Sequence, residues 1–235
     1  MDIPAQPKGV LFDFGGTLVE ESGLDLRAGN QWLLSRASRG PADLNLDAVL
    51  LRATAIGQQV VAQRESIHVE IPWPAILRLI YDHLGVEFDD AIPDLELGFW
   101  QASVTTGPVA GVAEALDALA SAGIRMAVVS NTSFSARTLR SELEKHALAH
   151  HFQFIVTSAE YSIRKPNPLL FEVAARRLGV APADLWFVGD RSDTDVAGAN
   201  AAGMTSVMLG IAPQAGPPAK PALRIAGWHE WPRWT

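Results

Sequence analysis

Five short apolar runs, each stopping at a small or polar residue, set the main constraint on how this chain can fold. Gly9-Val10-Leu11-Phe12 stops at Asp13, and Arg125-Met126-Ala127-Val128-Val129 stops at Ser130-Asn131-Thr132. Phe154-Ile155-Val156-Thr157 leads into Ser158, Leu185-Trp186-Phe187-Val188 ends at Gly189-Asp190, and Thr205-Ser206-Val207-Met208-Leu209 ends at Gly210. Continuous apolar runs of this length are the pattern of strands buried on both faces. Between them the spacing is helical. Val112 to Ala122 carries Ala115, Leu116, Leu119 and Ala120 on one face and meets Gly123 as a C-terminal cap; Ser135 to His146, Pro168 to Leu178 before Gly179, and Asp193 to Ala202 before Gly203 follow the same plan. Strands alternating with helices specify an α/β fold, a parallel sheet covered on both faces. Ligands of such sheets bind beyond the carboxyl ends of the strands, where Asp13, Ser130, Asn131 and Asp190 stand.

Nearly a hundred residues separate the first run from the helix at 112–122, too many for a structureless loop. Their periodicity predicts helices over Gly29–Ser38, Leu46–Arg64, Trp73–Leu84 and Pro93–Val104, with no convincing strand among them. Residues 19–106 therefore read as a helical insertion beside the site, and residues 1–18 with 107–235 as the sheet domain. After Gly210 the chain is rich in Pro and Trp; Pro213, Pro217, Pro218 and Pro221 predict an extended connection and Leu223-Arg224-Ile225 a final edge strand.

The chain has 235 residues, 48% of them hydrophobic, enough for a sizeable core. It has no cysteine, which excludes a disulfide framework, a thiolate metal site and a cysteine nucleophile. A net charge of −7 argues against general nucleic-acid binding, though a local cluster of amides and a lysine can still take a phosphate. No apolar run approaches the roughly 18 residues of a membrane span, and Met1 to Lys8 lacks the regions of a signal peptide. The expectation is a soluble cytoplasmic protein that binds neither nucleic acid nor membrane. Oligomeric state is not legible.

Asp13, at a strand end before Gly15-Gly16-Thr17, suits a nucleophile or a metal ligand. Gly189-Asp190-Arg191-Ser192-Asp193-Thr194-Asp195 crowds carboxylates at another strand end, as hard cations such as Mg²⁺ require. Ser130 and Asn131 offer a hydroxyl, an amide and backbone N–H groups; Lys165 sits in a loop stiffened by Pro166 and Pro168. The ordered set, strand–Asp13–x–x–Gly16–Thr17–Leu18, strand–Ser130–Asn131, Lys165–Pro166 and strand–Gly189–Asp190–x4–Asp195, resembles the haloacid dehalogenase superfamily of hydrolases over nearly the whole chain.

The resemblance implies a Rossmann-like core with an α-helical cap at 19–106. It implies that Asp13 is the nucleophile forming an aspartyl-phosphate, and that Asp13, Asp190 and the carbonyl of Gly15 bind Mg²⁺. Ser130 and Lys165 would hold the phosphate with amides near Gly16 and Asn131, and Asp195 would support the metal and Lys165 from behind. The implied partner is a small phosphorylated metabolite.

One position departs from the pattern. Superfamily members that cleave phosphate esters usually carry a second Asp two residues after the nucleophile, as general acid and base; here Gly15 stands there. Such help is worth about 10²–10⁴-fold, so the expectation is a slow phosphatase. The alternatives are a non-catalytic phosphometabolite-binding or interaction protein, and a 2-haloacid dehalogenase, although dehalogenases lack the Gly189-Asp190 pair seen here. The phosphonate-cleaving branch needs a cap lysine, and Lys8, Lys145, Lys165 and Lys220 all fall outside 19–106. Glu20 and Glu21 follow the first motif, where the superfamily has a mobile flap, and either could swing over the site in place of the missing carboxyl; the preferred reading is a solvated acidic pair at the cap hinge. His68 and His83 read as cap surface or packing residues. His146 and His150 would share a helix face if the helix reached that far. Trp228, Trp231 and Trp234, spaced by three, read as packing of a last turn onto the sheet.

Overall fold

Successive residues of a strand point to opposite faces, and here each face finds its own helical cover. The computed structural model describes residues 5–210 and 219–231, with main chain only at 65 and 66. In chain order its elements are β1 (Gly9–Phe12), β2 (Val19–Leu24), α1 (Leu26–Arg36), β3 (Ala37–Arg39), α2 (Leu46–Ile67), α3 (Trp73–Tyr81), β4 (Glu87–Phe88), α4 (Ile92–Ser103), β5 (Val104–Pro108), α5 (Val112–Ser121), β6 (Arg125–Ser130), α6 (Ala136–Lys145), β7 (Ile155–Thr157), α7 (Ser158–Tyr161), α8 (Pro168–Leu178), β8 (Leu185–Gly189), α9 (Ala197–Ala201), β9 (Thr205–Leu209) and β10 (Leu223–Ile225). Six strands form one parallel sheet in the order β10-β9-β8-β1-β6-β7. Val10, Phe12, Met126, Val128, Trp186 and Val188 pack on one side with α5 and α6; Leu11, Ala127, Val129, Leu185 and Phe187 pack on the other with α8 and α9. This is a Rossmann-like α/β fold with helices on both faces.

The extended run 223–225 is the edge strand, parallel to β9. Trp228 and Trp231 are buried against the sheet: the Trp228 ring lies 6.0 Å from Phe12 and its Nε1 donates to Thr17 O at 2.9 Å, and Trp231 lies 5.9 Å from Trp186. Trp234 and residues 213, 217 and 218 lie outside the described residues. Among the described residues no helix is long and apolar enough to cross a membrane.

Between β1 and α5, helices α1 to α4 share a core built on Leu33, Val49, Trp73, Leu77, Tyr81 and Phe99. The helices fall where periodicity put them, but the expectation that no strand interrupts them does not hold. β2 pairs antiparallel with β5, and β3 with β4. β2 is Val-Glu-Glu-Ser-Gly-Leu, exposed after its first residue, so it carries no apolar run by which to recognise a strand. Its pairing binds the chain leaving β1 to the chain returning toward α5. A second difference lies at 193–202, where one helix was expected. The chain first makes a wide turn over Ser192–Val196, in which Val196 N–H reaches back five residues to Arg191 O, and only then enters α9. Such wide turns recur at functional sites; this one carries Asp195.

Buried glutamates tie the inserted helices to the sheet domain. Glu142 on α6 accepts from Trp100 Nε1 at 2.8 Å, from the Thr106 hydroxyl and from Lys145 Nζ at 2.8 Å. Glu96 on α4 accepts from Ser135 N–H and Thr138 Oγ1, both at 2.7 Å. Burial opposes the charge on Glu142, but the hydrogen bonds from Lys145, Thr106 and Trp100 outweigh it and hold its carboxyl below the usual range. A lowered pKa contributes stability at neutral pH that is lost as pH falls through the carboxylate range. Glu142→Ala is expected to cost about 1–3 kcal/mol by leaving the Trp100 and Thr106 donors unmet, read from urea unfolding at pH 7. Glu142→Gln is expected to flatten the acid limb of the stability curve.

Candidate active site

The end of β1 and the start of α8 are joined by an ammonium. Lys165 is 2% exposed, and its Nζ lies 2.6 Å from Asp13 Oδ1, 2.7 Å from Asp195 Oδ1 and 3.0 Å from Val129 O, with the Phe187 ring centroid 5.2 Å away. Its main chain is fixed by Asn131, whose Oδ1 accepts from Lys165 N at 2.8 Å and whose Nδ2 donates to Lys165 O at 3.0 Å. The Asn131 side chain, expected to help bind substrate, is thus engaged in positioning the main chain of Lys165. Asp195 is held in turn by Arg191 N–H at 3.1 Å, inside the wide turn.

Asp13 follows β1 directly, and its N–H bonds Val188 O on the neighbouring strand at 2.9 Å. Asp190 follows β8, the adjacent strand, so parallel pairing places the two carboxylates side by side. Oxygens of Asp13, Asp190 and Asp195 lie within 4.8 Å of one another. Gly16 has φ +71°, and a Cβ there would come within 2.6 Å of Asp190 Oδ2, so glycine is required twice over. Gly15 is different. Its φ is not positive, and the nearest atom to a Cβ there would be Glu21 Oε1, at 2.9 Å. Ser130, the last residue of β6, is buried and lines the same cavity of about 610 Å³ as Asp13, Gly15, Gly16, Glu21 and Lys165.

The electrostatics follow from burial and crowding. For Lys165, burial opposes the charge, but Asp13 and Asp195 outweigh it and raise its pKa; the ammonium stays charged. Burial raises Asp13 above the usual carboxylate range against the pull of Lys165, with Asp190 adding repulsion. Burial and the Asp195 charge raise Asp190, and burial pushes Asp195 up to about 6. Clustered acids facing one lysine leave excess negative charge, and their donors are all oxygens. That combination fits a hard divalent cation held by Asp13 and Asp190.

Two arginines that sequence reading passed over stand at the cleft wall. Arg64 and Arg164 both pair with the buried carboxylate of Glu70. Arg64 lies far in sequence from the motifs, and Arg164, next to Lys165, is marked by nothing but its charge until Glu70 stands beside both. His68 also lines the cleft, whereas His83 is exposed in the turn after α3. The condition on which His146 and His150 would share a helix face is not met: α6 stops at Lys145, and His146 turns to Thr106 and Glu142. His150 and His151 instead gather with Asp117 in a separate surface groove.

Fold and site together define an α/β Rossmann-like protein with a cluster of carboxylates around a buried lysine at its strand ends. The haloacid dehalogenase-like hydrolase family model matches residues 10–209, and the chain belongs to that family. It is 32% identical over 208 residues to the glyceraldehyde 3-phosphate phosphatase of Methanopyrus kandleri, spanning 86% of this chain and 83% of that one. It is 31% identical over 208 residues to the phosphoglycolate phosphatase of Xylella fastidiosa, spanning 87% and 80%. Among solved structures, a HAD phosphatase from Thermococcus onnurineus matches with a TM-score of 0.63 at 22% identity over 94% of each chain. A 2-haloacid dehalogenase from Pseudomonas syringae matches with a TM-score of 0.65 at 22% identity over 96% of each. At that identity the structural likeness is one of fold, and membership of the family makes the chain a hydrolase.

A cation bound to the folded site alone stabilises the fold by mass action. Millimolar Mg²⁺ is expected to raise the unfolding temperature of the wild type in a thermal-shift assay. Asp190→Asn is expected to cancel that shift while unfolding with the same cooperativity.

Proposed function

We propose that this chain is a Mg²⁺-dependent phosphatase that hydrolyses a small phosphorylated metabolite through an aspartyl-phosphate at Asp13. The observation that carries the reading is the buried Asp13–Lys165 pair with Asp190 alongside. Asp13 attacks phosphorus, and the bond to the leaving oxygen breaks. Lys165 orients the attacking carboxylate through Oδ1 and, with the Ser130 hydroxyl and the backbone at Gly16 and Asn131, draws negative charge off the phosphoryl oxygens. Bound by Asp13, Asp190 and the carbonyl of Gly15, Mg²⁺ would supply further charge neutralisation. Asp195 keeps Lys165 in place. The relatives named for glyceraldehyde 3-phosphate and phosphoglycolate support a small phosphate ester as the substrate class.

In the same reading residues 19–106 are a cap over a core made of 1–18 and 107–235. A second cavity of about 380 Å³ lies beneath the helices and shares Glu21, Arg64, Trp100, Asn131 and Arg164 with the first. Its wall is largely apolar, with Leu33, Val60, Trp73, Phe99 and Phe134. The leaving group would sit there, and closure of the cap would exclude water during transfer.

A screen of phosphorylated metabolites with Mg²⁺ tests the proposal. Release of phosphate is expected to fall to background in Asp13→Asn and in excess chelator. Activity unchanged by either would overturn it. Tight phosphometabolite binding with no turnover would identify the non-catalytic binder that Gly15 leaves open. Halide release from 2-haloacids without added metal would identify a dehalogenase.

A further inference from the structure

We infer that Glu21 is the general acid and base of this site, supplying from β2 the carboxyl that position 15 lacks; the inference rests on the phosphatase reading above. The space beside Gly15 is filled by Glu21. A Cβ built on Gly15 would stand 2.9 Å from Glu21 Oε1, 3.4 Å from its Cδ and 3.8 Å from Oε2, its three nearest neighbours beyond the adjoining residues. A carboxyl attached at position 15 and the carboxyl of Glu21 would therefore compete for one volume.

The backbone holds Glu21 there. The turn after Asp13 closes through Gly16 N–H to Val19 O at 2.8 Å and Leu18 N–H to Phe14 O at 2.9 Å, which folds β2 back alongside Gly15. β2 then pairs with β5, Glu21 opposite Thr106 and Glu20 opposite Gly107. Strand alternation sends neighbouring side chains to opposite faces, so Glu21 takes the cleft and Glu20 does not. Glu21 also lines both cavities, the one around Asp13 and the apolar one beneath the helices. That is the boundary where the oxygen joining phosphate to leaving group must lie. The other acidic residues nearby are committed: Asp195 to Lys165, Asp193 to Arg191, Glu70 to Arg64 and Arg164, and Glu142 to Trp100 and Lys145.

In the first half-reaction the Glu21 carboxylic acid gives its proton to the leaving oxygen as that oxygen departs with the electron pair of the P–O bond, and Asp13 becomes the phosphoryl carrier. In the second, the Glu21 carboxylate takes a proton from water as the water oxygen bonds to phosphorus. The bond from phosphorus to Asp13 breaks, releasing inorganic phosphate and restoring both carboxyls to their starting forms.

Leaving-group dependence tests this. The probes are p-nitrophenyl phosphate, whose phenolate departs without a proton, and the best alkyl phosphate from the metabolite screen. In Glu21→Gln, kcat on the alkyl ester is expected to fall by about 10²–10⁴-fold with KM little changed. With p-nitrophenyl phosphate the same variant should release a burst of nearly one nitrophenolate per active site and then turn over slowly, because the second half-reaction has lost its base. Gly15→Ala, which displaces the Glu21 carboxyl without altering it, should fall in the same direction. Gly15→Asp in the Glu21→Gln background should restore alkyl-ester turnover. Equal small effects on both esters, a faster Glu21→Gln enzyme, or a loss confined to His68→Gln would overturn the role of Glu21 while leaving the phosphatase standing. A wild type that releases phosphate from neither ester, with no dependence on Asp13, would remove the phosphatase reading and this inference with it.

Discussion

A charged ammonium buried almost completely under a parallel sheet has to be compensated by its surroundings, and much of this molecule is arranged around that requirement. Leaving such an ion without water costs several kcal/mol unless partners surround it. Lys165 has Asp13 and Asp195 within 2.7 Å, the carbonyl of Val129 at 3.0 Å and the Phe187 ring nearby. Each partner comes from a different element: the end of β1, the wide turn after β8, β6 and β8 itself. Asn131 clamps the main chain of the same lysine from the end of β6. Fold and site are therefore one electrostatic unit. The groups that would hold and attack a phosphoryl group are also groups that close the carboxyl edge of the sheet.

The inserted helices are attached with comparable care. The β2–β5 pair crosses the boundary twice with one small sheet, and Glu96 and Glu142 hydrogen-bond across it. Their attachment has a chemical consequence, since the strand that begins the insert is also the strand that lays Glu21 against Gly15. A residue on β2 thus takes up the space beside a residue of the loop after β1. Arg64 and Arg164, locked on Glu70, bring positive charge to the same wall.

Sequence alone determined the sheet, because strands buried on both faces need unbroken apolar runs and those runs are visible. It also placed Asp13, Ser130, Lys165 and Asp190 at the edge where ligands bind, since each follows or precedes a recognisable element, and the helices of the insert emerged from their periodicity. Only the tertiary structure decided the rest. β2 is an exposed polar strand, so nothing in its composition separates it from a loop; its partner is more than eighty residues away. The adjacent glutamates at 20 and 21 are identical as letters and differ only in which face of that strand they occupy. Asn131 reads as a ligand-binding amide until Lys165 arrives from 34 positions later in the chain. The glycine at 15 looked like a missing carboxyl. In three dimensions it is the space another carboxyl fills, because short-range sequence specifies what a residue is, whereas long-range pairing specifies what stands beside it.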